Sequence, residues 1–169
     1  MHRVIPVLSL ITEDLVKTTK FESPHYIGDP INALKIFNAK EVDELLLQDI
    51  RATKAGRSPN LELIRDIVSE AFMPIAYGGG ISNTGEIDQL FKVGVEKIIL
   101  NSAAVTDPNL VKLASQNYGA QSIVVSLNIK KKFLRNGYKI VSNSGKNKFK
   151  GGLLDTLRKL EDLGAGEII

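Results

Sequence analysis

Small and polar residues follow two consecutive predicted strands, and their spacing suits the binding of an anion. Residues 73–77 (MPIAY) predict a buried strand that ends in three glycines, residues 78–80. Residues 96–100 predict the next strand, which ends in Asn101 and Ser102. Glycines allow a sharp turn and a close approach to a ligand, and the N–H groups of such turns suit phosphate. Because the carboxyl ends of parallel strands lie at one edge of a sheet, we predict a phosphate site there; a plain strand-to-helix turn is the alternative.

The rest of the chain alternates short apolar runs with amphipathic stretches, which predicts the elements that position these residues. Helix starts are marked by Asp29-Pro30, Pro59, Asn83 or Thr84, and Asp107-Pro108, and a last helix covers 153–163. The predicted strands are 3–10, 42–50, 73–77, 96–100 and 121–128, with the start of a sixth at 167–169. Residues 11–28 are predicted to be a long connection. Strands and helices alternating at this cadence predict an α/β fold with a parallel sheet.

Composition restricts the class of protein. The 169 residues suffice for a single domain, residues 1–169, and a chain with 43% hydrophobic and 24% charged residues is typical of a soluble globular protein. There is no cysteine and there are two histidines, so thiolate chemistry is excluded and a histidine-rich metal site is disfavoured. We predict no metal and no cofactor. No apolar run reaches the ~20 residues of a membrane span, so we expect no membrane association and a cytoplasmic location.

A basic segment covers about residues 130–150. It has eight cations and no acid, namely Lys130, Lys131, Lys132, Arg135, Lys139, Lys146, Lys148 and Lys150. Asn136-Gly137 is a strong two-residue turn signal, which predicts an inserted hairpin. Aromatic residues interleave with the cations, so nucleic-acid binding has to be considered. We favour a solvated hairpin beside an anion-binding face over a nucleic-acid interface.

Several runs of the sequence together resemble one known family. They are RVIP, LVKTTKF, GDP, EVDELLLQDI, YGGGI, GVEKIILNSAAV and GAGEII. The chain resembles the cyclase subunit of imidazole glycerol phosphate synthase, a (β/α)8 TIM barrel of histidine biosynthesis. The resemblance implies a phosphorylated small-molecule substrate and a heterodimer with a glutaminase (a class I glutamine amidotransferase) that supplies ammonia. It implies phosphate contacts at Gly79, Gly80, Asn101 and Ser102, and it matches Lys17 to a lysine of the loop that covers the substrate.

The residues that handle protons in this family are replaced. The resemblance places the family's general acid/base pair on Ser9 and Asn128, and neither side chain titrates near neutral pH. Such groups typically contribute ~100- to 10,000-fold to a rate, so ring closure should be crippled. Asp49, at the end of the second predicted strand, is a further catalytic candidate, although an acid there can equally cap the following turn.

The resemblance also implies an entrance for ammonia at the opposite end of the barrel. The family has a ring of charged residues there, and the matching positions are Arg3, Glu44, Lys97 and Glu167. All four are charged with alternating sign, as a self-neutralising gate requires; ordinary charges at strand starts are the alternative. Glu96, beside the ring, is a candidate for the glutaminase docking surface.

These observations predict a function and its alternatives. About five complete βα units are recognised, whereas a (β/α)8 barrel needs eight and ~250 residues, so we expect a partial barrel or a fragment of a longer protein. A gate without the acid/base pair favours the divergent branch of the family associated with acetamidino modification of surface-polysaccharide (lipopolysaccharide) sugars. In that case the protein is a subunit of a glutamine-dependent synthase with little cyclase activity of its own. The alternatives are an authentic histidine-pathway cyclase and a non-enzymatic partial barrel that binds phosphate or polyanions.

Overall fold

The computed structural model describes residues 2–19, 22–131, 137–142, 147–148 and 152–169. The chain forms two compact units, Met1–Ile98 and Ile99–Ile169. Across the described ranges, no helix has the length and apolar character needed to cross a membrane.

The first unit is a sheet of parallel strands with an antiparallel hairpin at one side. Its strands are β1 (Val7–Ile11), β2 (Asp14–Thr19), β3 (Glu22–Gly28), β4 (Leu45–Asp49), β5 (Ile75–Gly78) and the start of β6 (Lys97–Leu100). β4 pairs in parallel with β1 and β5, while β1, β2 and β3 pair antiparallel in that order. The register places Leu10 opposite Asp49 and Gln48 opposite Gly78. The carboxyl ends of β1, β4 and β5 therefore lie at the same edge.

The helices of the first unit, except the shortest, follow a residue whose side chain accepts one of their N-terminal N–H groups. They are α1 (Pro30–Ala39), α2 (Ala52–Ala55), α3 (Leu61–Ser69) and α4 (Thr84–Lys92). The side chains of Asp29, Asn60 and Asn83 accept the N–H groups of Asn32, Leu63 and Glu86, respectively. The three longer helices each bury an apolar stripe, namely Leu34 in α1, Ile64 and Ile67 in α3, and Ile87 and Leu90 in α4.

The second unit combines a parallel strand pair with a small antiparallel sheet. Its helices are α5 (Ser102–Thr106), α6 (Pro108–Tyr118) and α7 (Leu153–Asp162), with a 3-10 turn at Ala120–Ser122. Its strands are β7 (Ile123–Val125), β8 (Asn128–Lys131), β9 (Tyr138–Ser142), β10 (Asn147–Lys148) and β11 (Glu167–Ile168). β7 pairs in parallel with β11, and β9 pairs antiparallel with β8 and β10.

The central strands are buried, as their continuous apolar runs predict. All residues of Leu45–Leu47 in β4, Ile75–Tyr77 in β5 and Ile123–Val125 in β7 are buried. Strands covered on both faces carry such runs rather than alternating patterns. The predictions of parallel strands and of helix starts at Asp29-Pro30, Asn83 and Asp107-Pro108 are confirmed.

Three predictions in the first unit need correction. Residues 11–28, predicted to be a long connection, contain two strands, because β2 and β3 form a hairpin on β1. The third helix begins at Leu61 rather than Pro59, because the Asn60 side chain caps it by accepting the Leu63 N–H at 3.2 Å. β1 also begins later than predicted, at Val7, directly after Pro6, which has no N–H to donate to a ladder.

Two predictions in the second unit are also wrong. Residues 121–128 do not form one strand: β7 ends at Val125, and Asn128 begins β8, where it pairs with Val141. The chain leaves the parallel pairing at Asn128 to join the inserted antiparallel sheet. The strand predicted to end in Asn101 and Ser102 ends at Leu100, and Ser102 begins a short helix, α5.

Candidate functional site

The two glycines after β5 have backbone conformations that other residues rarely adopt. Gly79 has φ +117° and Gly80 has φ +74°. A Cβ atom on Gly79 would overlap the backbone oxygen of Asp49, and one on Gly80 would overlap the backbone oxygen of Arg57. The glycines are therefore required for close packing against the segment after β4, whether or not a ligand is bound.

The N–H group of Gly80 has a partner inside the protein. It donates to the Thr53 Oγ1 at 3.2 Å. A phosphate at this N–H would have to share it with the Thr53 hydroxyl or displace that hydroxyl. The phosphate role of Gly79 and Gly80 thus stays a prediction, and no sequence pattern points to Thr53.

Asp49 is buried at the end of β4 and holds the turn that follows. Its Oδ1 accepts the N–H groups of Arg51 at 3.0 Å and Ala52 at 2.9 Å. Its Oδ2 lies 3.1 Å from an Nη atom of Arg57. Three donors on two oxygens are the pattern of a carboxylate that organises a loop, which supports the capping interpretation of Asp49 over a proton-transfer role.

Two other predicted residues of the first unit lie on β1 and on the hairpin. Ser9 is half-buried in β1, where it pairs with Gln48 of β4. Lys17 is exposed in β2, where it pairs with His25 of β3. Their proposed roles in catalysis and in substrate covering stay predictions.

In the second unit, Asn101 and Ser102 lie where β6 passes into α5. The Asn101 Nδ2 donates to the Ser126 carbonyl at 2.7 Å, and the Ser102 Oγ donates to the Asn101 Oδ1 at 3.3 Å. The Ser126 N–H in turn donates to the Leu100 carbonyl at 2.9 Å. The Asn101 amide therefore joins the ends of β6 and β7, while Asn128 lies two residues further on, half-buried in β8.

Three of the four predicted gate residues meet in the first unit. Glu44 is buried, with 4% of its surface exposed. Its Oε2 lies 2.7 Å from the Lys97 Nζ and 3.5 Å from an Nη atom of Arg3. Glu44 directly precedes β4 and Lys97 begins β6, so this cluster lies at the amino ends of the strands. Glu167, the fourth, is half-buried at the start of β11 in the second unit, and its gate role stays a prediction.

Two further titratable side chains near the carboxyl edge of the first unit have shifted pKa values. Burial, reinforced by the nearby Asp49 carboxylate, raises the pKa of Tyr77 well above its usual range, and Arg57 only partly offsets this. Burial alone would raise the pKa of Glu86, but hydrogen bonds from Ser58 and Ser82 lower it overall. The spacing of Asn83 and Glu86 is a capping-box signal that could have identified Glu86, whereas no pattern points to Arg57.

The basic segment is described in part. Lys130 and Lys131 are exposed on β8, and Lys131 pairs with Tyr138, the first residue of β9. The predicted turn residue Asn136 and the cations Lys132, Arg135, Lys146 and Lys150 lie outside the described residues. The antiparallel pairing supports the predicted hairpin insertion.

Comparisons with known proteins agree with the family that the sequence resembles. A family model described as "Histidine biosynthesis protein" matches residues 3–169. Over 99% of this chain, identity is 46% to the "Putative imidazole glycerol phosphate synthase subunit hisF2" of Pseudomonas aeruginosa and 43% to the corresponding HisF protein of Leptospira borgpetersenii. It is 38% to the "Imidazole glycerol phosphate synthase subunit HisF" of Staphylococcus carnosus. The chain spans 66% of the length of each of these relatives. The chain therefore belongs to the histidine biosynthesis protein family of (β/α)8 TIM barrels, of which it contains a partial set of βα units.

Proposed function

We propose that this protein receives ammonia from a glutaminase partner as a subunit of a glutamine-dependent synthase, and that it has lost efficient imidazole ring closure. The relatives are named as subunits of imidazole glycerol phosphate synthase, which supports an assembly of this kind. The ammonia would pass to a separate amidotransferase that adds an acetamidino group to a surface-polysaccharide sugar. A cytoplasmic location fits an assembly that uses glutamine.

The observation that carries the proposal is the buried Glu44 with Lys97 and Arg3. Taking a carboxylate and an ammonium group out of water costs several kcal/mol each, and apolar side chains of similar size would often be as stable. Charges kept at such a position therefore support a role beyond folding. With Glu167 as the proposed fourth member, the ring would be neutral overall and polar, which suits the passage of a small polar solute such as ammonia.

The residues at the proposed acid/base positions support a changed destination for the ammonia. Ser9 and Asn128 can donate or accept hydrogen bonds, but neither can take up a proton as a carboxylate does. Asp49 would be the substitute base, yet its oxygens accept the Arg51 and Ala52 N–H groups and the Arg57 guanidinium. Ring closure needs one group to remove a proton and another to deliver one, so these positions favour another reaction.

The ligand of the barrel is proposed to be a phosphorylated small molecule. Gly79, Gly80, Asn101 and Ser102 are the proposed contacts, and Lys17 of the β2–β3 hairpin is proposed to cover the ligand. The N–H groups of glycine turns and small hydroxyl side chains suit phosphate oxygens. Phosphate binding at the Gly80 N–H would therefore exchange the hydrogen bond to the Thr53 hydroxyl for one to the phosphate.

An authentic histidine-pathway cyclase is the second candidate, favoured by the 38% identity to the HisF subunit of Staphylococcus carnosus. The two candidate functions can be distinguished in a bacterial strain that lacks its own cyclase subunit and therefore needs added histidine. We expect the full-length protein not to restore growth, because Ser9 and Asn128 cannot transfer the protons. We expect the Ser9→Asp/Asn128→Asp variant to restore it at least in part.

The matched control for this experiment carries the same two changes at exposed positions, Ser69→Asp and Asn109→Asp. This control should behave as the wild type does. Growth restored by the unaltered protein would contradict the proposal and support the cyclase.

A further inference from the structure

The segment between β4 and α3, residues 51–60, lies across the carboxyl edge of the first unit, and we call it the strap. Its first two residues, Arg51 and Ala52, donate their N–H groups to Asp49, and Arg57, further along the strap, binds the same carboxylate through its guanidinium. Its last residue, Asn60, has its Nδ2 3.5 Å from the Glu13 Oε1 in the β1–β2 turn. The strap therefore has contacts with the last residue of β4 and with the turn that follows β1.

The strap also contacts the glycine turn after β5, residues 78–82, directly at Gly80 and indirectly through Glu86 of α4. The Thr53 Oγ1 accepts the Gly80 N–H at 3.2 Å. The backbone oxygen of Arg57 lies so close to Gly80 that no Cβ fits there. The Ser58 Oγ donates to the Glu86 Oε1 at 2.6 Å, while the Glu86 Oε2 accepts the Ser82 N–H at 2.7 Å and the Ser82 hydroxyl at 2.9 Å.

Glu86 thus does more than complete the capping box of α4. A capping box needs the Asn83 side chain and the Glu86 carboxylate, and both are present within α4 and its approach. The Ser58 hydroxyl is an additional donor that comes from the strap, 28 residues away in sequence. A carboxylate that accepts from both the strap and the glycine turn fixes the distance between them.

We propose that the strap is the positioning element of the glycine turn, and that Ser58 and Glu86 hold residues 78–82 in the geometry that binds phosphate. The phosphate part of this inference rests on the proposed function, whereas the positioning part does not. Ser58 and Glu86 are positioning residues, because they act through the turn rather than on the ligand.

The variant that tests this inference is Ser58→Ala in the full-length protein. It removes the strap's hydrogen bond to Glu86 and leaves the Asn83–Glu86 capping box in place. Ser58 is exposed, so folding should not be affected. Ser58→Thr, which keeps the hydroxyl, is the conservative rescue. Ser69→Ala is the matched control, since the Ser69 hydroxyl donates to the Asp66 carbonyl at 2.8 Å at the far end of α3.

Two readouts separate the parts of the inference. In the ligand-free protein, hydrogen exchange followed by mass spectrometry should be faster over residues 78–82 in Ser58→Ala, and unchanged in Ser58→Thr and Ser69→Ala. With inorganic phosphate as the probe, titration calorimetry should show about threefold to tenfold weaker binding to Ser58→Ala, as expected when the lost hydrogen bond acts on the ligand only through the turn.

The outcomes are distinguishable. Unchanged exchange over residues 78–82 would overturn the positioning role of the strap. Faster exchange with unchanged phosphate affinity would overturn its link to the ligand. If the unaltered protein does not bind phosphate, the proposed ligand is wrong, while the exchange measurement still decides whether the strap positions the turn.

Discussion

Among single residues, the acids at the two ends of β4 differ in what surrounds them. Glu44, at the amino end, is paired with the Lys97 ammonium and the Arg3 guanidinium. Asp49, at the carboxyl end, accepts two backbone N–H groups and pairs with Arg57. The first arrangement is a cluster of charged side chains, which apolar side chains of similar size would often match in stability. The second organises a turn. Glu44 is therefore a candidate gate residue, whereas the contacts of Asp49 are those of an acid with a structural role.

The Glu44 cluster makes a prediction about stability. Lys97→Met should lower the free energy of unfolding by about 3 kcal/mol, because it leaves the buried Glu44 carboxylate with a weaker set of partners. Adding Glu44→Gln should recover most of the loss, since the unpaired charge is then removed. Urea denaturation measures both changes, with Lys92→Met on the exposed face of α4 as the control. A Lys97→Met variant as stable as the control would show that the ion pair is unimportant in solution.

Tyr77 makes a prediction about alkaline stability. Its pKa is raised in the folded state by burial and by Asp49, so folding favours the neutral phenol. Above pH 10, near the ordinary pKa of tyrosine, the unfolded chain loses this proton first, and stability falls as the pH rises. Tyr77→Phe should remove this part of the pH dependence.

Denaturation between pH 8 and about 11 measures the effect of Tyr77→Phe. Tyr138→Phe is the matched control, because the Tyr138 side chain is exposed and 57% accessible. If the free energy of unfolding has the same slope against pH in the wild type and in Tyr77→Phe, the pH dependence does not come from Tyr77.

At the scale of elements, helix starts and buried strands could be predicted because their causes are local. Asp29, Asn83 and Asp107 cap helices through hydrogen bonds within three residues, so sequence spacing is enough. The β2–β3 hairpin was missed although its strands are neighbours in the sequence. The start of β8 could not be found in this way, because the chain changes there from the β7–β11 pairing to the β8–β9 pairing, and this change depends on the folded unit. The strap was missed for the same reason, since Thr53 and Ser58 acquire their partners, Gly80 and Glu86, only in the folded unit.

The start of α3 provides a direct test of local capping. Asn60→Ala should destabilise the protein by about 1 kcal/mol, because the Leu63 N–H loses its side-chain acceptor. Asn60→Asp should keep most of the stability, since aspartate caps equally well. Thermal unfolding of the two variants checks this. Equal losses from both would indicate that the contact with Glu13, rather than the cap, is what matters.

For the whole molecule, the family could be recognised from the sequence because short motifs recur in order along nearly the entire chain. A single glycine run would not have been enough, whereas seven matching runs are specific. The sequence could not show the hydrogen-bond and ion-pair partners of the site residues, such as Thr53 for the Gly80 N–H and Arg57 for Asp49. Those contacts depend on three-dimensional packing, and they change which residues are plausible proton carriers.

The central claim is that ammonia is received but the family's ring closure is lost. The most direct test supplies the full-length protein with an ammonium salt and the family's phosphoribosyl formimino-carboxamide nucleotide, and follows imidazole glycerol phosphate. We predict negligible turnover, and a rate at least ~100-fold higher in Ser9→Asp/Asn128→Asp, in which two carboxylates are restored. Rapid ring closure by the unaltered protein, without a gain from the two aspartates, would contradict the account.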